Sequence, residues 1–137
     1  MAVQIRPEGD DGVPEVSVDI IDETFVVAGR EQVAERLADP DRWQAWWPDL
    51  LLLVTLDRGL DGIVWSVSGT LRGTAEIWLE PWHDGVIVHW FLRARSGELA
   101  DATRIRRAYS KAFKRHVTAL KDELERGRLA GLPRGET

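Results

Sequence analysis

Cysteine is absent from this chain, which excludes a disulfide framework, thiolate catalysis and thiolate metal ligation. No stretch of eighteen or more apolar residues occurs, so no integral membrane segment is expected. The opening MAVQIRPEGDDG lacks the apolar core of a secretory signal, and a cytoplasmic location is the default expectation. A basic surplus is lacking too. The formal charge is −5, and a nucleic-acid binder needs a positive face against phosphate, so no nucleic-acid partner is expected. Three histidines, His83, His89 and His116, are all the chain has. They fall on a turn, a strand and a helix, and do not converge into a metal site. No nucleophile–base motif, glycine-rich phosphate loop or pair of catalytic carboxylates is present, and no cofactor is implied.

What remains describes one domain. A chain of 137 residues with 44% hydrophobic content builds a single core, and 30% charged residues is ordinary for a protein surface. The basic run Arg104, Arg106, Arg107, Lys111, Lys114 and Arg115 reads as a solvated helix face. Seven tryptophans are the unusual feature, each a large apolar surface with an N–H that needs a partner.

Residues 1–14 mix proline, glycine and acids without periodicity and read as a flexible lead-in; 128–137 read as a flexible tail. From Val16, alternation predicts a half-buried strand reaching Val27, with a bulge where the phase changes at Ile20–Ile21. Gly29 opens a short helix burying Val33, Ala34 and Leu37. Asp39-Pro40 is an N-cap followed by proline at the first helical position. It starts a second short helix that carries Trp43, Trp46 and Trp47 and ends at Pro48. Four strands follow, at 50–56, 63–68, 73–81 and 86–94, the last pair joined by an Asp84-Gly85 turn. The helical period over 101–126, with Asp101 as cap and Gly127 as stop, predicts the longest helix. The order is β-α-α-β-β-β-β-α.

Side-chain alternation turns these hairpins into faces. A turn at Asp84-Gly85 sets Leu79 opposite Trp90 and Ile77 opposite Leu92. On the reverse face it sets Glu80 against His89, Trp78 against Phe91 and Glu76 against Arg93. A turn centred on Leu71 sets Trp65 by Ile77 and Ile63 by Leu79. Pairing Leu56 with Ile63 then sets Val54 by Trp65. One apolar face results, running from Leu52, Val54 and Leu56 through Trp65 and Ile77 to Trp90 and Leu92. The long helix supplies its cover with Ile105, Tyr109, Ala112, Phe113, His116, Val117, Leu120 and Leu124 at roughly 100° per residue.

With DPDRWQAWWPDL at 39–50, EIWLEPWHDGVIVHWFLRA at 76–94 and one long C-terminal helix, the chain resembles the START-like or SRPBCC superfamily over about 15–127. Within it the likeness is to bacterial polyketide cyclase/dehydrase-type proteins. The resemblance implies an α+β helix-grip fold: a curved five-stranded antiparallel sheet, order 1-5-4-3-2, around the C-terminal helix, with two short helices after strand 1. It also implies a hydrophobic ligand, such as a lipid or polyketide, held between sheet and helix. Members of the superfamily usually have six or seven strands. Five imply a shorter groove and a smaller or more open pocket.

Candidate ligand-binding residues are Trp65, Trp90, Leu79 and Ile77 on the concave face, Trp47 at its end, Tyr109 and His116 on the helix, and Arg106 at the mouth. His116 and Tyr109 are the acid–base candidates, although both also suit the margin of a core. Trp65 and Trp90 suit either ligand stacking or simple core packing. Trp78, Trp82, Ile87 and Phe91 form an apolar cluster on the convex face and mark a partner interface, with a homodimer as one use. Three functions therefore stand open: binding or carriage of a hydrophobic small molecule or lipid, a polyketide cyclase- or dehydratase-like enzyme, and a protein-interaction module.

Overall fold

The computed structural model describes residues 16–96 and 101–126. The lead-in, the Gly127 stop and the tail lie outside the described residues. Within them, strand β1 (Val16–Val26) is followed by helices α1 (Arg30–Leu37) and α2 (Pro40–Trp46). Strands β2 (Leu50–Asp57), β3 (Gly62–Gly69), β4 (Arg72–Trp82) and β5 (Gly85–Ser96) come next, and helix α3 (Ala102–Arg126) closes the order. A single 3₁₀ turn, Gly59–Asp61, joins β2 to β3. The five strands form one antiparallel sheet in the order β1-β5-β4-β3-β2, and α3 lies on its concave side: the helix-grip arrangement.

Local chemistry accounts for the helix ends. The Asp39 carboxylate accepts the Asp41 backbone N–H at 2.9 Å and caps α2. Asp101 accepts from the Thr103 backbone N–H at 3.0 Å and starts α3. α3 buries Phe113, Val117, Leu120 and Leu124. The six residues of the expected solvated face, Arg104 to Arg115, are all exposed, and two lysines of α3 also tie it to β1. Lys114 reaches Asp22 and the Glu23 carbonyl, and Lys121 donates to the Phe25 carbonyl at 2.8 Å. Glu125 accepts the Val27 backbone N–H at 2.8 Å. The outer edge of β1 is thus covered by the helix at its C-terminal end, from Glu23 to Val27.

The register differs from expectation in four places. First, β1 pairs with β5 without interruption from Val16↔Ser96 to Val26↔Val86, so no bulge lies at Ile20–Ile21; Ile20 points in and Ile21 out. Second, the β4–β5 turn is His83-Asp84, with Trp82 opposite Gly85 and His83 at φ 52°. Gly85 belongs to the strand because a Cβ there would strike the Val26 carbonyl and the Phe25 ring. Third, the β3–β4 hairpin is centred on Thr70, with Ile63↔Ile77 and Trp65↔Ala75, which leaves Leu71 free to enter the core at zero exposure. Both hairpins have slipped by two residues, and a slip of two preserves every face. Fourth, a bulge does occur, between Val54 and Leu56. Leu56 pairs with Val64 and turns to the convex face, and Asp57 takes its place opposite Ile63.

Candidate functional site

Between sheet and α3 the space is filled by aromatic rings. Trp90 stacks on Phe113 with centroids 4.3 Å apart, and Trp47 stacks on Trp90 at 5.8 Å. Trp65 meets Trp47 edge-on at 5.8 Å and Trp43 at 5.2 Å. Trp47, Trp65, Trp90 and Phe113 are all at most 2% exposed. They form a plug, with edge-to-face and offset geometries that suit aromatic quadrupoles. The indole N–H groups of Trp47, Trp65 and Trp90 find no hydrogen-bond acceptor among the described residues. Packing against ring faces is a weaker substitute, so the plug is held by area rather than by polar pairing.

The empty space lies to one side of this plug, beneath the two short helices. A cavity of about 210 Å³ is walled by Ala34, Leu37 and Ala38 from α1 and its cap, and by Trp43 from α2. Its floor is Val54, Ile63, Ile77 and Leu79 of the sheet, and its rim is Asp57, Gly59 and Gly62 around the 3₁₀ turn. Ile77 and Leu79, expected at a ligand site, are in this wall. Trp65 borders it only through its contact with Trp43, and the Trp43 indole is fixed by donating to the Leu37 carbonyl at 2.6 Å. An Arg30–Asp61 ion pair at 2.8 Å ties α1 to the 3₁₀ turn beside the rim. Asp57 accepts the Gly59 backbone N–H at 2.8 Å, so its carboxylate is oriented at the one polar side of the cavity.

Tyr109 and His116 are brought together elsewhere. They line an open cleft of about 360 Å³ between α3 and the α2–β2 junction, with Ala45, Pro48, Asp49 and Arg115. The Tyr109 hydroxyl donates to Asp49 at 2.7 Å. Burial, then that hydrogen bond, then the Asp49 charge push the phenol above its ordinary range. His116 lies flat on Trp46, with centroids 5.6 Å apart. Its pKa is lowered by burial first and by Arg115 second. No sequence motif marks Asp49. Its position after Pro48, at the end of α2, is the only signal that could have pointed to it. Arg106 is exposed on α3 and lines neither space.

On the convex face, Trp78 and Trp82 are 38% and 50% exposed, while Ile87 and Phe91 are half-buried. His89 is buried beneath Trp78, with stacked rings 4.4 Å apart, and lies 2.9 Å from Glu80 and 3.5 Å from Glu23. Trp78 is its direct cross-strand neighbour, and Glu80 reaches it diagonally. The expected Glu76–Arg93 pair does not form across the strands, because Glu76 bonds Arg58 and Thr74 faces Arg93. Among the described residues there is no cluster of metal-ligating side chains, and no helix is long and apolar enough to cross a membrane.

No family model and no curated protein matches the chain. Solved structures do. The Aha1 dimer of Colwellia psychrerythraea aligns at 18% identity and a TM-score of 0.60, covering 82% of this chain and 99% of its own. Mll3558 of Rhizobium loti aligns at 12% identity and a TM-score of 0.64, over 77% of this chain and 98% of its own. The di-domain ARO/CYC protein StfQ, of the steffimycin biosynthetic pathway, aligns at 19% identity and a TM-score of 0.52, over 78% of this chain and 52% of its own. At such identities the likeness is one of architecture, and the architecture is the helix-grip fold.

Proposed function

We propose that this domain binds a small, largely apolar molecule in the cavity beneath α1 and α2. The observation that carries the reading is the apolar space of about 210 Å³ with a single acidic group, Asp57, at its rim. An apolar cavity of about 150 Å³ holds benzene, so this one suits one substituted aromatic ring or a short acyl chain. Sites for drug-sized ligands span roughly 300–1,000 Å³, so a whole lipid or a multi-ring polyketide is too large. A hydroxyl or amine on the ligand would donate to Asp57. The shared fold with an ARO/CYC protein supports an aromatic ligand as a class. Binding is favoured over acid–base catalysis because the cavity and the cleft of Tyr109 and His116 share no wall residue.

Thermal unfolding against a panel of phenols, anilines and short fatty alcohols tests this. A ligand at a hundredfold its Kd adds about 2.7 kcal/mol of stability, a shift of several degrees for a chain of this size. Ala34→Leu fills the cavity and should remove the shift while the protein stays folded. If no panel member shifts the transition, or Ala34→Leu binds as the parent does, the reading is lost.

A second reading is a partner surface on the convex face, favoured by the exposure of Trp78, Trp82 and Ile21. It extends the expected cluster of Trp78, Trp82, Ile87 and Phe91 to β1.

A further inference from the structure

The two edges of the sheet are treated in opposite ways. β1 carries Asp19, Asp22 and Glu23, and its outer backbone groups at Glu23, Phe25 and Val27 are taken by Lys114, Lys121 and Glu125 of α3. These are the usual devices against edge-to-edge association. β2, the opposite edge, has fewer of them from Leu50 to Leu56: the bulge after Val54 is one, and the Leu50 N–H is taken by the Trp47 carbonyl at 3.1 Å. It has no charge and no proline, and no other described strand pairs with its outer side. From Leu50 to Val54 its side chains are apolar on both faces. Leu51 and Leu53 are each 68% exposed on the convex face, and Val54 is 41% exposed on the concave one.

We infer that a second copy of this chain pairs antiparallel with β2, joining two sheets into one across a two-fold axis centred on Leu52. The occupant and the register follow from the strand itself. Directly opposed residues must share a face, and the bulge after Val54 limits the flat stretch to Leu50–Val54, whose midpoint is Leu52. That register sets Leu51 against the partner's Leu53, Leu50 against the partner's Val54, and Leu52 against its own copy. Asp49 then faces Thr55. Moving the centre to Leu53 would set Asp49 against Asp57, a like-charge pair. Moving it to Leu51 would set Asp49 against an exposed leucine. An edge apolar on both faces is matched by a strand of the same kind, and Leu50–Val54 of a second copy is one. A two-fold pairing of identical surfaces is also the commonest form of assembly.

The chain has no native thiol, so each introduced cysteine is the only one present. Leu52→Cys should form a disulfide-linked dimer under mild oxidation, because directly opposed strand residues lie about 4.5–5.5 Å apart, within disulfide reach. Leu51→Cys alone should not, since its own copy is diagonal at about 7–8 Å, but should cross-link when mixed with Leu53→Cys. Sedimentation of the full chain should give twice the monomer mass. Leu53→Lys, at an exposed site that leaves the core untouched, should raise the dimer Kd at least tenfold. A monomer at every concentration overturns the inference. So does a dimer that cross-links through Ile21→Cys or Trp82→Cys and not through Leu52→Cys.

Discussion

Replacing Phe113 with alanine asks directly whether the space between sheet and helix is a plug or a pocket. Phe113 is fully buried, lies 4.3 Å from Trp90 between ring centroids, and also touches Trp46 and Trp47. A phenylalanine near the low end of aromatic burial removes about 150 Å² from water, worth roughly 4 kcal/mol at ~25 cal/mol per Å². The alanine methyl retains a little of that. The cavity left behind adds to the loss, because three rigid indoles cannot collapse into it as aliphatic chains do. Large-to-small aromatic substitutions of this kind cost about 3–5 kcal/mol, and the stacking on Trp90 places this one in the upper half. That is a large part of the ~5–15 kcal/mol that holds a domain together. In urea, with a slope of about 2 kcal/mol per M, the midpoint should fall by about 2 M at unchanged slope. A fall below about 0.5 M would mean that these rings do not pack on one another, and the ligand would have to be sought between sheet and α3.

Two further perturbations test other parts of the argument. Gly62 has φ 133° and faces the Ile77 carbonyl, which a Cβ would strike; Gly62→Ala should destabilise by about 2 kcal/mol or more, and an equilibrium denaturation curve within about 0.5 kcal/mol of the parent, the size of an ordinary surface change, would contradict the register of β3 on β4. Acid should weaken the fold in two separable steps. Burial and Arg115 lower the His116 pKa below 6.5, so its contribution is intact above that pH and declines as the unfolded chain takes up a proton first. Glu123 is lowered below 4.5, first by its hydrogen bond from Arg36, so its contribution is present above that pH and is lost beneath it. Denaturation midpoints measured across pH should lose the upper step in His116→Asn and the lower step in Glu123→Gln; a profile unchanged by either variant would refute the assignment.

The faces of this sheet were legible in the sequence because alternation has a period of two. Trp65, Ile77, Leu79 and Trp90 are concave whether the β4–β5 turn is placed at Asp84-Gly85 or, as observed, at His83-Asp84. What alternation cannot report is which neighbour presses on a residue from outside its own hairpin. Gly85 looks like a turn glycine, yet its small size is required by Phe25 and Val26 of a strand some sixty residues earlier. His89 looks like a surface partner of Glu80, yet Trp78 lies over it. The β2 bulge is invisible for a related reason: Leu56 is equally acceptable on either face until Asp57 is needed at the cavity rim. The position of the cavity depends on summed volumes, and no single stretch of sequence carries them.

Those volumes explain why the hollow lies where it does. A five-stranded sheet curves around α3 with room for few side chains, and four large aromatics from the cap of α2, β3, β5 and α3 fill that room. Towards α1 the supply of bulk ends. α1 has only eight residues and with its cap presents Ala34 and Ala38 to the sheet, while the turn opposite presents Gly59 and Gly62. Close packing is the rule in protein interiors, and a single leucine at Ala34 would restore it without changing the helix, since leucine is also a good helix former. The small residues therefore keep open a space that the fold does not need for its own stability. Its walls are apolar, and its one carboxylate is held in place by the backbone at Gly59. Asp57 closes the turn into the 3₁₀ segment, and the same backbone bond holds its carboxylate at the mouth, where the proposed donor-bearing ligand would meet it.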